Sequence, residues 1–188
     1  MSSLLRLHDI VPLTFANGPG ARACVWLQGC SLACPACFNP ETHDFGGGRE
    51  CSPEQLAEEI ILLQGIVGVT VSGGEPLQQS KALLEFLSSI KENSNLSVIL
   101  FSGFSRREIS KMDCYSRLSS LADAVIAGRY VQELRQATGL LGSANQEIIL
   151  FSARYTPDAF PKVPAGAVLT GVDGTITLSG VDPMQIIP

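Results

Sequence analysis

Apolar residues fall along this chain in two rhythms, short continuous runs and longer stretches with a helical repeat. Residues 23–27 form the first run and predict a buried strand, ending in Gln28-Gly29 and a cysteine-rich loop. After a glycine-rich link at 46–48, Ser52 offers an N-cap, Pro53 takes the first helical position and Gln55 completes a capping box. Leu56, Ile60 and Leu63 then share one helical face, and Gly65 supplies the stop. Residues 66–72 read as a second buried strand, closed by Gly73-Gly74-Glu75-Pro76. Leu83, Leu87 and Ile90 mark the next amphipathic helix, and 96–102 a third strand ending at Gly103. Ser105 with Glu108 forms another capping box, and 124–127 is a fourth strand ending in Gly128. Beyond a loop-rich stretch come a strand at 148–151 and a proline-studded linker. The last expected element is a hairpin, 168–172 with 175–178, turned by Asp173-Gly174.

Strands alternating with helices predict an α/β fold with parallel strands and right-handed crossovers. The distinctive residues follow four successive strands: the cysteines, the Gly-Gly-Glu-Pro turn, Ser102-Gly103 and Gly128-Arg129. Ligands of barrels and open sheets gather at the carboxyl ends of strands, so one site should draw on all four. The 188 residues predict a single domain, 1–188, with a cluster loop at 30–37 and a hairpin-bearing extension at about 160–188. That length falls below the roughly 200 residues of the smallest complete eight-unit barrels, so a partial, open (β/α) barrel is expected.

Composition narrows the chemistry. Only 16% of residues are charged, against about 25% in ordinary soluble domains, which favours a buried partner or a self-association face. A net charge of -5 without a Lys/Arg run argues against nucleic acid as a partner. No run approaches the ~18 apolar residues of a membrane span. The opening MSSLLRLHDI has no basic flank before a long apolar stretch, so no export signal is expected. Six cysteines in such a chain point to metal or redox chemistry in a reducing cytoplasm rather than to disulfides.

Cys30-Ser31-Leu32-Ala33-Cys34-Pro35-Ala36-Cys37 places three thiolates in one short loop. Soft thiolates suit iron–sulfur clusters and zinc. A four-iron cubane normally takes four cysteines, so three leave one iron open to an outside ligand. An amino acid presenting amine and carboxylate together could chelate it. On spacing alone two other readings stay open: zinc completed by Cys24, His43 or Cys51, and an electron-transfer cluster completed by one of those cysteines.

The Cys-x3-Cys-x2-Cys triplet after a first strand, with Gly-Gly-Glu-Pro after the second, resembles the radical S-adenosylmethionine superfamily. The stretch from Gly18-Pro19-Gly20-Ala21-Arg22 through Cys37-Phe38-Asn39-Pro40 is similar to the activating enzymes of glycyl-radical enzymes. Ala127-Gly128-Arg129-Tyr130 and Leu141-Gly142-Ser143-Ala144-Asn145-Gln146 look like the short branch that activates anaerobic ribonucleoside-triphosphate reductase.

This resemblance implies an oxidoreductase with one 4Fe–4S cluster on Cys30, Cys34 and Cys37, its fourth iron taking the methionyl end of S-adenosyl-L-methionine. It implies close cofactor approach at Gly73 and Gly74, Glu75 or its backbone at the methionyl ammonium, and adenine contact around Ala36 and Phe38. Many radical enzymes have an aromatic where Ala36 stands. Ser102 could bond the ribose or carboxylate, although turn chemistry explains a Ser-Gly pair nearly as well. Arg22 and Arg129 could hold carboxylates bidentately, with exposed salt bridges as the alternative. Cys24, Cys51 and Cys114 read as incidental thiols and His43 as structural. The implied reaction uses an electron from a low-potential donor such as flavodoxin to form a 5′-deoxyadenosyl radical. That radical would take hydrogen from a protein substrate: anaerobic ribonucleotide reductase, another glycyl-radical enzyme or a peptide.

Overall fold

The computed structural model describes residues 3–170 and 176–180. In chain order come β1 (Leu5–Thr14), β2 (Arg22–Leu27), β3 (Arg49–Cys51), α1 (Pro53–Ile61), β4 (Gly68–Gly73), α2 (Ser80–Asn93) and β5 (Ser97–Ser102). Then follow α3 (Arg106–Ile109), α4 (Tyr115–Leu121), β6 (Ala124–Ala127), β7 (Arg135–Thr138), β8 (Leu141–Ser143), β9 (Glu147–Leu150), β10 (Gly166–Thr170) and β11 (Ile176–Gly180). Among these residues no helix is long and apolar enough to cross a membrane.

One sheet, in the order β3-β1-β2-β4-β5-β6-β9, organises the fold. Its centre is the parallel run β2, β4, β5 and β6, as the βα alternation predicts. Antiparallel strands flank it: β1 beside β2, and β9 beside β6. The two ends of the sheet do not pair, so the barrel is partial and open.

The parallel strands are mostly apolar on both sides because both faces are covered. Val25, Val71, Leu100 and Val125 pack outward with Leu56, Ile60, Leu83 and Leu87 of α1 and α2 in the main core. The alternate residues Ile99, Ala124 and Ile126 face inward, where Leu140, Phe160 and Val163 cover them. Residues after β9 therefore return to fill part of the barrel's interior.

Local signals account for most element ends. Ser52 accepts a hydrogen bond from Gln55 N at 3.3 Å, but the return bond of a capping box is missing. Ser105 and Glu108 make both bonds of theirs, around a helix of a single turn. The C-terminal hairpin forms with Thr170 opposite Ile176, and the expected Asp173-Gly174 turn lies outside the described residues. Four strands went unpredicted: β1, β3, and the pair β7 and β8 inside the stretch read as loop.

Candidate functional site

The carboxyl ends of the four parallel strands surround one cavity. Cys30, Cys34, Cys37 and Phe38 line it from the loop after β2, Gly73, Gly74 and Glu75 from that after β4, and Ser102 from the end of β5. Ala36 stands apart, exposed on the loop's surface and outside the lining. Its φ of 54° and the 48° of Ala33 lie in the left-handed region, which bulky side chains strongly avoid. That winding is a physical reason for a small residue at position 36. The Cys37 N–H closes the coil on the Cys34 carbonyl at 3.2 Å.

All three thiols are free and partly exposed. Partial burial holds Cys30 and Cys37 above the usual thiol range, so binding metal there means releasing protons. Among the described residues no three His, Cys, Asp or Glu side chains gather so as to hold one metal ion. A cubane offers a separate iron to each thiolate, so its ligands surround a body instead of meeting at a point. Three thiols spaced around one cavity fit that donor set. Of the other thiols, Cys24 is wholly buried, which pushes it up to about 12. Cys51 and Cys114 pack against the main core, and His43 does line the cavity.

The Gly-Gly-Glu-Pro turn has a structural role beyond any cofactor. A Cβ on Gly73 would stand 2.3 Å from the Leu27 carbonyl oxygen, and one on Gly74 2.3 Å from that of Gly29. Side chains there would force the β4 exit away from the strand that feeds the cysteine loop. Gly74 N–H donates to Leu27 O at 2.8 Å and Glu75 N–H to Gly29 O at 2.9 Å, joining the two exits.

Glu75 is buried at 0% exposure. Its carboxylate accepts from Leu77 N–H at 3.0 Å, from the Ser102 hydroxyl at 3.0 Å and from Gly103 N–H at 2.7 Å. Glu75 and Ser102 thus bond to each other, tying the ends of β4 and β5. Burial pushes the Glu75 carboxyl up to about 7, opposed by those three donors and by the Arg129 charge. A value above the ordinary 4.5 means that the folded chain favours the protonated form. Its stabilising contribution is complete below pH 4.5 and is lost as pH rises through about 7. Glu75→Gln cannot titrate and is expected to flatten the chemical-denaturation profile across that window. A wild-type profile no steeper than the variant's would show that the carboxyl stays ionised.

The two arginines part company. Arg129 makes the exposed salt bridge given as the alternative, bidentate to Glu108 at 2.9 and 3.1 Å. Arg22 holds no carboxylate: it is wholly buried and bonded to hydroxyls and carbonyls.

Tyr130 lies 4.3 Å from Phe38, ring centre to ring centre, and both line the cavity's rim. The Gln146 amide fixes the facing loop, accepting from Gly142 N–H at 2.9 Å and donating to Gly128 O at 2.9 Å. Sequence reasoning missed Tyr130 and Trp26 as lining residues. Trp26 could have been found, because it stands one residue before the end of β2 and alternates with buried Val25. It also missed Gln78, whose amide takes Ser31 N–H at 3.1 Å and donates to its hydroxyl at 2.5 Å, steadying the cysteine loop.

Residues 16–149 match the family described as "4Fe-4S single cluster domain". Among curated proteins the chain is similar to the pyruvate formate-lyase-activating enzyme of Clostridium pasteurianum, 36% identical over 104 residues, 53% of this chain and 44% of the relative. The same enzyme of Listeria monocytogenes is 41% identical over 91 residues, 46% of this chain and 37% of the relative. Pyruvate formate-lyase 1-activating enzyme of Escherichia coli is 28% identical over 168 residues, 87% of this chain and 67% of the relative. The chain thus spans less than half the length of the first two relatives. The family match, covering the four parallel strands whose ends surround the cavity, shows that this chain belongs to the 4Fe–4S single-cluster domains.

Proposed function

We propose that this protein reductively cleaves S-adenosyl-L-methionine and uses the resulting radical on a protein substrate in the cytoplasm. The observation that carries this reading is the meeting of Cys30, Cys34 and Cys37 with Gly73-Gly74-Glu75 on one cavity. When bound, the cluster supplies the electron that splits the cofactor into methionine and a 5′-deoxyadenosyl radical. Cys30, Cys34 and Cys37 would hold three of the irons. The carboxylate of Glu75 is engaged with Ser102 and Gly103, so the backbone at Gly73 and Gly74 would receive the methionyl end. Phe38, at 41% exposure and against Tyr130, would offer a ring face to the adenine. Ala36 would contribute backbone alone.

For the substrate we favour the glycine of an anaerobic ribonucleoside-triphosphate reductase, on the motifs at 127–130 and 141–146, with flavodoxin or a similar donor supplying electrons. A second reading, another glycyl-radical enzyme, is favoured by the named relatives, which are pyruvate formate-lyase activases. Protein reconstituted anaerobically and reduced with dithionite should form 5′-deoxyadenosine and change its electron paramagnetic resonance when S-adenosylmethionine is added. Neither response from a loaded cluster would leave a non-catalytic iron–sulfur module. Glycyl-radical yield on each purified candidate reductase or lyase then separates the two substrates.

A further inference from the structure

The cysteine loop lacks the support that fixes the rest of the fold. From Cys30 to Glu41 no residue is buried, so side-chain packing does not hold this stretch in one shape. A seam at its base does. Four consecutive carbonyls on the returning leg, those of residues 41–44, are all taken by three residues of the outgoing leg. Gly29 N–H donates to Thr42 O at 2.8 Å and Cys30 N–H to His43 O at 3.1 Å. The outer two carbonyls share one side chain: Gln28 Nε2 donates to Glu41 O at 3.1 Å and to Asp44 O at 2.7 Å.

The Gln28 amide has no freedom to face the other way. Carbonyl oxygens only accept, so its NH2 group lies towards them and its Oε1 away. There Oε1 meets His8 Nδ1 at 2.7 Å, which fixes a proton on that ring nitrogen. Gln28 is 2% exposed, and its backbone is held too, N–H by Arg6 O at 2.9 Å and O by Gln79 Nε2 at 2.8 Å. The glycine-rich link at 46–48 makes room for this side chain. A Cβ on Gly47 would stand 2.9 Å from Gln28 Nε2, and one on Gly48 3.0 Å from its Cβ.

We propose that Gln28 is a positioning residue for the cluster: its amide clasps the two legs of the loop, so that Cys30, Cys34 and Cys37 stand at cluster spacing before any iron arrives. Gln28 acts through the backbone of the loop, and the proposal rests on the cluster, not on the radical reading. Without the two N–H donors, Glu41 O and Asp44 O would lose the group they share, leaving the Gly29 and Cys30 bonds to join the legs. The iron itself would then have to gather the thiols, and loading would have to order the loop as it proceeds.

Two variants of the full chain test the clasp. Gln28→Met keeps the length of the side chain and deletes both N–H donors, whereas Gly47→Ala leaves Gln28 in place and pushes its amide off the carbonyls. In the metal-free protein, amide hydrogen exchange across 29–44 is expected to become several-fold faster in both, with the parallel strands unchanged. After anaerobic loading, both should lose iron to a chelator several-fold faster than wild type. Their dithionite-reduced clusters should also give a broadened electron paramagnetic resonance spectrum. Folded variants that exchange like wild type would overturn the proposal, and so would faster exchange with wild-type iron retention or an unaltered spectrum. If Gln28→Met fails to fold, Gly47→Ala decides alone. Wild-type protein that keeps its iron but forms no 5′-deoxyadenosine would sink the radical reading and leave the clasp standing.

Discussion

Cys34→Ala protein, reconstituted under the same anaerobic conditions, is expected to bind less iron and to form no detectable 5′-deoxyadenosine. The thiol occupies the middle of a loop with little freedom to compensate. Ala33 and Ala36 are wound left-handed on either side, and the Cys34 carbonyl anchors Cys37. Each such residue stores strain of order 1–3 kcal/mol, so the loop holds its thiols in one arrangement and cannot swing another into place. No spare cysteine waits nearby. Cys24 is sealed in the core, while Cys51, ending β3, and Cys114, preceding α4, lean on the main core. The check is iron content together with nucleoside yield. Full iron content in the variant would point to a ligand set other than the three loop thiols. Normal iron with lost nucleoside would place Cys34 outside the ligand set but within the chemistry.

Arg22→Met is expected to cost about 4 kcal/mol of stability, near the upper end for a single substitution. The guanidinium is wholly buried among three hydroxyls and two strand carbonyls, with no carboxylate bonded to it. Burial lowers its pKa from the usual value, with the Tyr155 hydroxyl opposing that shift. Methionine fills much of the volume but leaves several buried polar groups without a partner, at about 1–3 kcal/mol each before neighbours relax. A chain of this size loses roughly 2–4 °C of melting temperature per kcal/mol, so a fall of about 10 °C should appear in the metal-free protein. Tyr155→Phe removes a single hydroxyl from the same cluster and should cost about 1 kcal/mol. Equal losses from the two variants would mean that Tyr155, rather than the guanidinium, holds the network together.

Arg22 also marks where reading the sequence ran out. The sequence offered it as a carboxylate clamp or an exposed ion pair. Its three hydroxyl partners stand 48, 75 and 133 positions away, and no local pattern announces them. Even Gly18 and Gly68 serve this side chain, since a Cβ on either would lie 2.5 Å from it. By contrast, the parallel strands and α1 and α2 were legible because burial on both faces, or on one helical stripe, writes itself directly into residue order. β1 was not. Its alternation of Leu5, Leu7, Val11 and Thr14 with exposed positions is broken by irregularities at Leu7/Asp9 and Val11/Thr14, which shift the period midway. At the site, the spacing of the cysteines and the Gly-Gly-Glu-Pro turn was enough to expect one shared cavity. The mutual bonding of Glu75 and Ser102 depends on strand register, and that emerges only from the packed sheet.

One outer edge of the sheet bears on how the protein behaves at high concentration. β3 is three residues long, two of them the exposed charges Arg49 and Glu50, and Arg6 reaches across from β1 to Glu50 at 2.7 Å. A strand this brief and this charged makes a poor template for a second chain, because its free backbone groups are few and sit among solvated side chains. Self-association through that edge is thereby discouraged, which favours a chain that stays dispersed when concentrated.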